Sequence, residues 1–156
     1  MVFVHVDFLM AAATMEEGTV FRLLWLALMS FEIFWLVWPA GLAFIVGTVG
    51  GLLAAMKVDP HRFKAAFVSA LVPLVLPAGI LLCGAIFWYD SGAEPSKLAE
   101  IVITILLLAN LPLSALLVLF QRGMARLFVL SVSTAIFGYS IGAWIVSGMA
   151  ITGDWL

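Results

Sequence analysis

Four stretches of the chain are almost entirely apolar, and each is as long as a membrane crossing requires. They run over residues 33–56, 65–89, 98–120 and 127–151. A helix needs roughly 20 apolar residues to cross about 30 Å of hydrocarbon. The pattern therefore predicts an all-α integral membrane protein, a four-helix transmembrane bundle that forms a single membrane domain over residues 1–156.

The polar segments between these stretches are short. They read KVDPHRFK, DSGAEPSK and QRGMAR, which leaves no room for a soluble domain between the spans. The composition agrees, with 65% hydrophobic and 10% charged residues, whereas soluble domains are about 45–50% apolar and about 25% charged. We expect one bundle whose solvent is the bilayer.

Residues 1–32 are predicted to form an N-terminal tail and an interfacial helix. Thr14 and Glu17 have capping-box spacing, so a helix is expected to begin there, with Arg22 and Glu32 directed toward water. In an alternative model, VFRLLWLALMSFEIFWLV is a fifth, short span that turns back at WPAG. That model buries Arg22 and Glu32 more deeply, which is costly unless the two charges are paired.

The charged residues predict an orientation. Most of the basic residues fall in the first and third loops: Lys57, Arg62, Lys64, Arg122 and Arg126. All but one of the acidic residues fall on the other side: Asp7, Glu16, Glu17, Glu32, Asp90, Glu94, Glu100 and Asp154. Because lysine and arginine near span ends are retained in the cytoplasm, both termini are predicted to be non-cytoplasmic. The pattern is typical of the bacterial cytoplasmic membrane.

The tryptophans indicate the same axis, because indole favours the membrane–water interface. All of them are predicted at the non-cytoplasmic boundary: Trp25, Trp35, Trp38, Trp88, Trp144 and Trp155. Glu32, in the segment FEIFWLVWPAG, has two interpretations. It is either an intramembrane carboxylate that handles protons or cations, or a solvated residue that marks the outer end of the first span. We favour the boundary interpretation.

The third span contains the most polar point in any predicted hydrophobic core region. Asn110 lies midway along it, with Thr104 nearby and Ser114 one turn further on, and Pro112 frees a backbone carbonyl there. These side chains either contact a substrate or ion, or hold helices in register by hydrogen bonds worth about 1 kcal/mol. No charged residue joins them, which favours the packing role.

Two spans carry small residues at every fourth position. The first span has Ala43, Gly47, Gly51 and Ala55, and the fourth has Thr134, Gly138 and Gly142. Such ridges let two helix backbones approach closely, and close packing drives helix association in lipid. One ridge suffices for the chain's own bundle, so two ridges suggest that one meets a neighbouring subunit.

Chemistry-bearing motifs are sparse in this sequence. His5 and His61 are predicted on opposite sides of the membrane, Cys83 is the only cysteine, and no phosphate loop or metal-ligand spacing occurs. The net charge of −2 and the lack of a long basic cluster argue against nucleic acid as a partner. We expect no catalytic residues, cofactor or metal, but we do expect structural lipids.

Three functions are compared on this basis. The first is a non-catalytic accessory subunit that packs against other membrane protein subunits and stabilises a larger complex. The second is a small homo-oligomeric transporter or channel with a polar midplane site around Asn110. The third is a membrane enzyme that uses Glu32 as acid or base, for which no second catalytic group is apparent. The sequence favours the first.

Overall fold

The structure is a bundle of α-helices with no strand among the residues described. The computed structural model describes residues 18–33, 36–89 and 94–154. Its helices are α1 (Thr19–Glu32), α2 (Trp38–Ala55), α3 (Pro60–Leu71), α4 (Val75–Ile86), α5 (Lys97–Leu119) and α6 (Met124–Thr152). A 3-10 turn over Val72–Leu74 joins α3 to α4, so that Pro60–Ile86 is one span of 27 residues. With α2, α5 and α6, it gives four helices long and apolar enough to cross a membrane, which confirms the predicted fold class.

The longest helix, α6, is the axis of the bundle. It packs against each of the other five helices, and its buried residues occur along its whole length. One end of the bundle holds the α2–α3 and α5–α6 loops with Lys57, Arg62, Lys64, Arg122 and Arg126; we call it the basic end. The opposite end holds Gly18, Tyr89, Ser96 and Asp154. One buried cluster of side chains lies toward each end.

Local sequence explains where the spans begin. Pro39 occupies the first turn of α2, where its missing N–H removes no helical hydrogen bond. The Asp59 carboxylate accepts a hydrogen bond from the His61 backbone N–H at 3.1 Å and caps α3. The Ser96 hydroxyl caps α5 by accepting from the Ala99 N–H at 3.3 Å. Helix α2 therefore begins at Trp38, and the helix of the second span begins at Pro60.

Two prolines explain the 3-10 turn in the second span. Pro73 lies inside the turn and Pro77 lies one turn later in α4. Neither can donate a backbone hydrogen bond, so the regular α-helical pattern is interrupted there. Pro112 is also intrahelical, but α5 continues through it.

A shorter helix does precede the first long span, as the sequence predicted, although its expected start at Thr14 and Glu17 lies outside the described residues. The structure adds that α1 packs against α4 and α6. It is held by the buried side chains of Trp25, Leu26 and Ser30.

The course of α1 and α2 decides between four and five crossings. Trp25 contacts Trp88 near the opposite end, with ring centroids 5.5 Å apart, whereas Phe31 contacts Tyr139 halfway along α6, at 4.9 Å. From there α2 continues past Gly138 toward the basic end. Helices α1 and α2 therefore run in the same direction beside α6, and α1 is not a separate crossing that turns back before α2. The four-span model is supported over the five-span alternative.

The two ridges of small residues pack against each other within the chain. A Cβ added to Gly138 would lie 2.6 Å from the Ala40 carbonyl oxygen and 2.8 Å from the Phe44 nitrogen. A Cβ on Gly47 would collide with the backbone of Ser131 and Ala135. The close contact between α2 and α6 therefore uses Ala43 and Gly47 from the first ridge and Gly138 from the second. The sequence argument that one ridge is spare for a neighbouring subunit loses its support.

The remaining ridge residues have different surroundings. Ala43 contributes to the same contact, since its Cβ lies 3.3 Å from the point that a Cβ on Gly138 would occupy, and Gly51 faces Val132. Gly142 is buried, and Ala55 packs at the edge of the basic-end cluster. The Thr134 hydroxyl donates to the Leu130 carbonyl oxygen of its own helix at 2.9 Å.

Candidate functional site

Asn110 forms a buried polar contact between α5 and α6. Its Nδ2 donates to the Ser140 hydroxyl at 2.9 Å, and its Oδ1 accepts from the Ser114 hydroxyl at 3.1 Å. Ser140 in turn donates to the Ile136 carbonyl oxygen at 2.8 Å. Asn110 and Ser140 are both fully buried. Because the amide has partners at both its nitrogen and its oxygen, this geometry suits helix registration more than substrate binding.

Thr104 belongs to a second contact between the same two helices. Its hydroxyl donates to the Glu100 carbonyl oxygen at 2.8 Å and accepts from Trp144 Nε1 at 3.1 Å. Trp144 was predicted only as an interface anchor, so its role as a donor to α5 is a finding of the structure. Thr104 and Asn110 are about 9 Å apart along α5, and they bond to different residues of α6. Helices α5 and α6 are therefore joined by two separate hydrogen-bonded contacts, and these do not form one continuous polar site.

The sequence analysis missed Ser140. A signal for it existed, because Ser133, Ser140 and Ser147 recur at seven-residue intervals on α6 and all three are buried. Within the described part of the chain, the hydroxyls of Ser133 and Ser147 have no hydrogen-bond partner. Ser147 faces Gly84 of α4 closely. Of the three serines, Ser140 is the one that joins α6 to α5 by a hydrogen bond.

We expect the Asn110–Ser140 pair to show a coupling of about 1 kcal/mol in a double-mutant cycle of Asn110→Ala, Ser140→Ala and the double variant. The readout is the free energy of unfolding in mixed micelles. Thr134→Ala on α6 is the control, since its hydroxyl bonds only within its own helix. Additive effects of Asn110→Ala and Ser140→Ala would contradict a stabilising hydrogen bond between the two side chains.

The break between α1 and α2 is the second candidate site. Phe31 lies against Tyr139 and against Phe44, whose ring centroid is 5.6 Å away. Tyr139 is about 20 Å along α6 from Arg126 and about 20 Å from Thr152, at 1.5 Å per residue. The break therefore lies at mid-height of the bundle. Glu32, predicted at the outer end of the first span, is the last residue of α1 and adjoins this break.

Several residues at the break are exposed on the surface of the bundle. Glu32 is exposed, as are Leu36 at 71% and Trp38 at 70%, together with Pro39. Glu32 makes no hydrogen bond or ion pair with any residue that the structure describes. It lies on α1, which packs on α4 and α6, whereas Asn110 lies within the α5–α6 contact. The structure does not bring Glu32 and Asn110 together, and Trp35 lies outside the described residues.

Arg22, the other charged residue of α1, contacts an aromatic ring. The Arg22 guanidinium carbon lies 5.7 Å from the ring centroid of Trp88, a cation–π distance. The backbone N–H of the next residue, Tyr89, donates to the Ala150 carbonyl oxygen at 2.7 Å, so this contact lies near the end of α6. Arg22 and Glu32 are about 15 Å apart along α1. They do not form the pair that would offset their charges in the membrane.

Apolar side chains are exposed on both sides of the break. Toward the opposite end the exposed residues include Leu24, Leu28, Leu82, Ile86, Ile101 and Ile105, and toward the basic end Leu52, Leu53, Val68, Leu116, Leu119 and Leu127. Surfaces this apolar suit hydrocarbon at both heights. The break therefore interrupts an apolar surface, instead of marking its edge.

Comparisons with known proteins assign no family: no family model, curated protein or solved structure matches the chain significantly. Across residues 18–33, 36–89 and 94–154, no three His, Cys, Asp or Glu side chains are grouped so as to hold a metal ion. The break, with one exposed carboxylate at mid-height, is the chemically unusual feature of the described bundle.

Proposed function

We propose that the chain is a non-catalytic, multi-pass accessory subunit that packs against a larger membrane protein complex and stabilises it. The observation that carries this proposal is the exposure of Glu32, Leu36 and Trp38 on the two sides of the break between α1 and α2. Non-helical backbone at membrane depth is tolerated only where protein covers it or where it lines a water-filled cavity. A partner helix laid over Leu36 and Trp38 meets that requirement.

Glu32 gives the proposed contact its chemistry. A carboxylate near the bilayer centre is costly unless it is paired or hydrogen-bonded, and Glu32 has no such partner among the described residues of its own chain. The proposed partner therefore presents a hydrogen-bond donor or a cation to Glu32, together with an apolar face for Leu36 and Trp38.

The proposed location is a bacterial cytoplasmic membrane with the basic end in the cytoplasm. The concentration of lysine and arginine in the α2–α3 and α5–α6 loops supports this orientation. Gly18 and Asp154 then face away from the cytoplasm.

A homo-oligomeric transporter or channel is the second candidate, because the same break favours it. Transporters bind substrates and coupling ions at discontinuous helices near the midplane, and a carboxylate there is a common ion site. The sequence placed the transporter's polar site around Asn110. That role is less favoured now, because the Asn110 amide is buried and already has hydrogen-bond partners on α5 and α6. A transport site would have to be built from Glu32 and a second copy of the chain.

Site-specific photo-crosslinking in native membranes tests the proposal. A crosslinking residue at position 36 is compared with one at Ile105, which is 58% exposed on another helix. We expect position 36 to label a different integral membrane protein and position 105 to label mainly lipid. Labelling of lipid alone from both positions would reject the proposal, and labelling of a second copy from position 36 would favour the transporter.

A further inference from the structure

An open cavity lies between α2, α3 and α6 in the half of the bundle nearer the basic end. Its volume is about 320 Å³, within the usual range for ligand pockets. It forms because α2 and α3 both pack on α6 but hardly touch each other. Since Gly47 and Gly138 draw α2 close to α6, the cleft beside α3 remains unfilled.

The lining of this cavity is almost wholly apolar. Gly51 and Ala55 form the α2 side, Phe63 and Phe67 the α3 side, and Phe128 part of the α6 side. The one polar side chain, Thr48, donates its hydroxyl proton to the Phe44 carbonyl oxygen at 2.7 Å. The cavity has no free polar group to orient a polar ligand inside it. Its chemistry fits a hydrocarbon chain.

Four cations lie within two residues of side chains that line the cavity. Arg62 and Lys64 flank Phe63, Arg126 precedes Phe128 by two residues, and Lys57 follows Ala55 by two residues; all four cations are exposed. The single carboxylate in the α2–α3 loop, Asp59, is engaged as the cap of α3. An apolar slot that opens beside several cations matches a molecule with a hydrocarbon tail and an anionic head.

We infer that this cavity binds one anionic phospholipid, with an acyl chain between Phe67 and Gly51 and the phosphate at Lys57, Arg62, Lys64 and Arg126. The cations attract the headgroup at the membrane surface, and the aromatic walls hold the chain. This lipid site is separate from the proposed subunit contact at the break, since Thr48 is about 15 Å along α2 from Trp38. It requires only that the bundle is embedded with its basic end at a lipid headgroup layer.

The test is native mass spectrometry of the delipidated protein with added phosphatidylglycerol or phosphatidylcholine of identical acyl chains. We expect a preference for phosphatidylglycerol that falls about fivefold when one cation is removed in Arg126→Gln. Lys97→Gln, which removes an exposed cation at the opposite end, should leave the preference unchanged. Equal binding of the two lipids to the wild type would overturn the inference.

A second variant separates the tail site from general charge attraction. Thr48→Phe adds a ring at the rim of the cavity and should abolish retention of either lipid, whereas Val49→Phe, exposed beside it and outside the lining, should not. Retention that survives Thr48→Phe would overturn the site. So would a photo-crosslinker at Phe67 that captures a protein in native membranes, because the cavity would then hold a partner helix.

Discussion

Alanine at Gly138 is expected to lower the melting temperature of the purified protein by about 2–12 °C. Forcing a methyl group into a tight contact costs about 1–3 kcal/mol, and each kcal/mol corresponds to about 2–4 °C in a chain of this size. Here the methyl group would meet backbone atoms of Ala40 and Phe44 at 2.6 and 2.8 Å. Backbone atoms of a packed helix cannot rotate away, so α2 would have to separate from α6.

The matched control lies on the same helix. A Cβ at Gly148 would meet nothing within 4 Å, so Gly148→Ala should leave the melting temperature unchanged or slightly raised, because alanine is the better helix former. Gly50→Ala should fall between the two, since its Cβ would meet only the Ser131 side chain closely, at 2.9 Å. Thermal unfolding followed by circular dichroism gives the order, and equal effects of Gly138→Ala and Gly148→Ala would contradict the close contact of α2 with α6.

Leucine at Glu32 is expected to weaken association with the proposed partner by about tenfold or more, because it leaves the partner's donor buried and unpaired. Glutamine at the same position keeps hydrogen-bonding capacity and should retain association. The readout is the amount of partner that co-purifies per chain after gentle extraction. Glu94→Leu is the control, since Glu94 is exposed outside α5 at the opposite end.

The sign of the Glu32→Leu effect is informative. If Glu32 faced lipid alone, leucine would remove a costly intramembrane charge. The isolated chain would then become more stable, and no partner would be lost. That combination would contradict the proposed subunit contact.

The sequence predicts the spans well because hydropathy and length are local properties. The hydrogen bond between Asn110 and Ser114 follows from their four-residue spacing on one helix. The main partner of Asn110, Ser140, lies thirty residues away on α6. A single polar residue on one helix does not specify which facing helix satisfies it.

The break between α1 and α2 could not be located from hydropathy. The segment FEIFWLVWPAG is nearly continuous in apolar character, and its tryptophans and proline suit a membrane boundary as well as an interior break. Its height is decided by tertiary contacts: Trp25 with Trp88 midway along α1, and Phe31 with Tyr139 near the end of α1. Trp38 is thus exposed at mid-height of the bundle.

The ridges of small residues also show that a sequence pattern does not identify the helix that a residue contacts. Four-residue spacing identifies Gly47 and Gly138 as sites of close approach, and the structure bears out a close contact at both. The spacing carries no information about whether a ridge meets its own chain or another one. Here the two ridges meet each other, and the case for a partner depends instead on the exposed break.

The central claim is that this chain works as part of a larger membrane complex, and the mass of the native assembly tests it most directly. The chain is extracted gently through a tag, and the intact particle is measured by native mass spectrometry. The account predicts a defined particle that contains this chain and at least one larger, different membrane subunit in fixed stoichiometry. A particle made only of copies of this chain, or the chain alone with lipid, would contradict it.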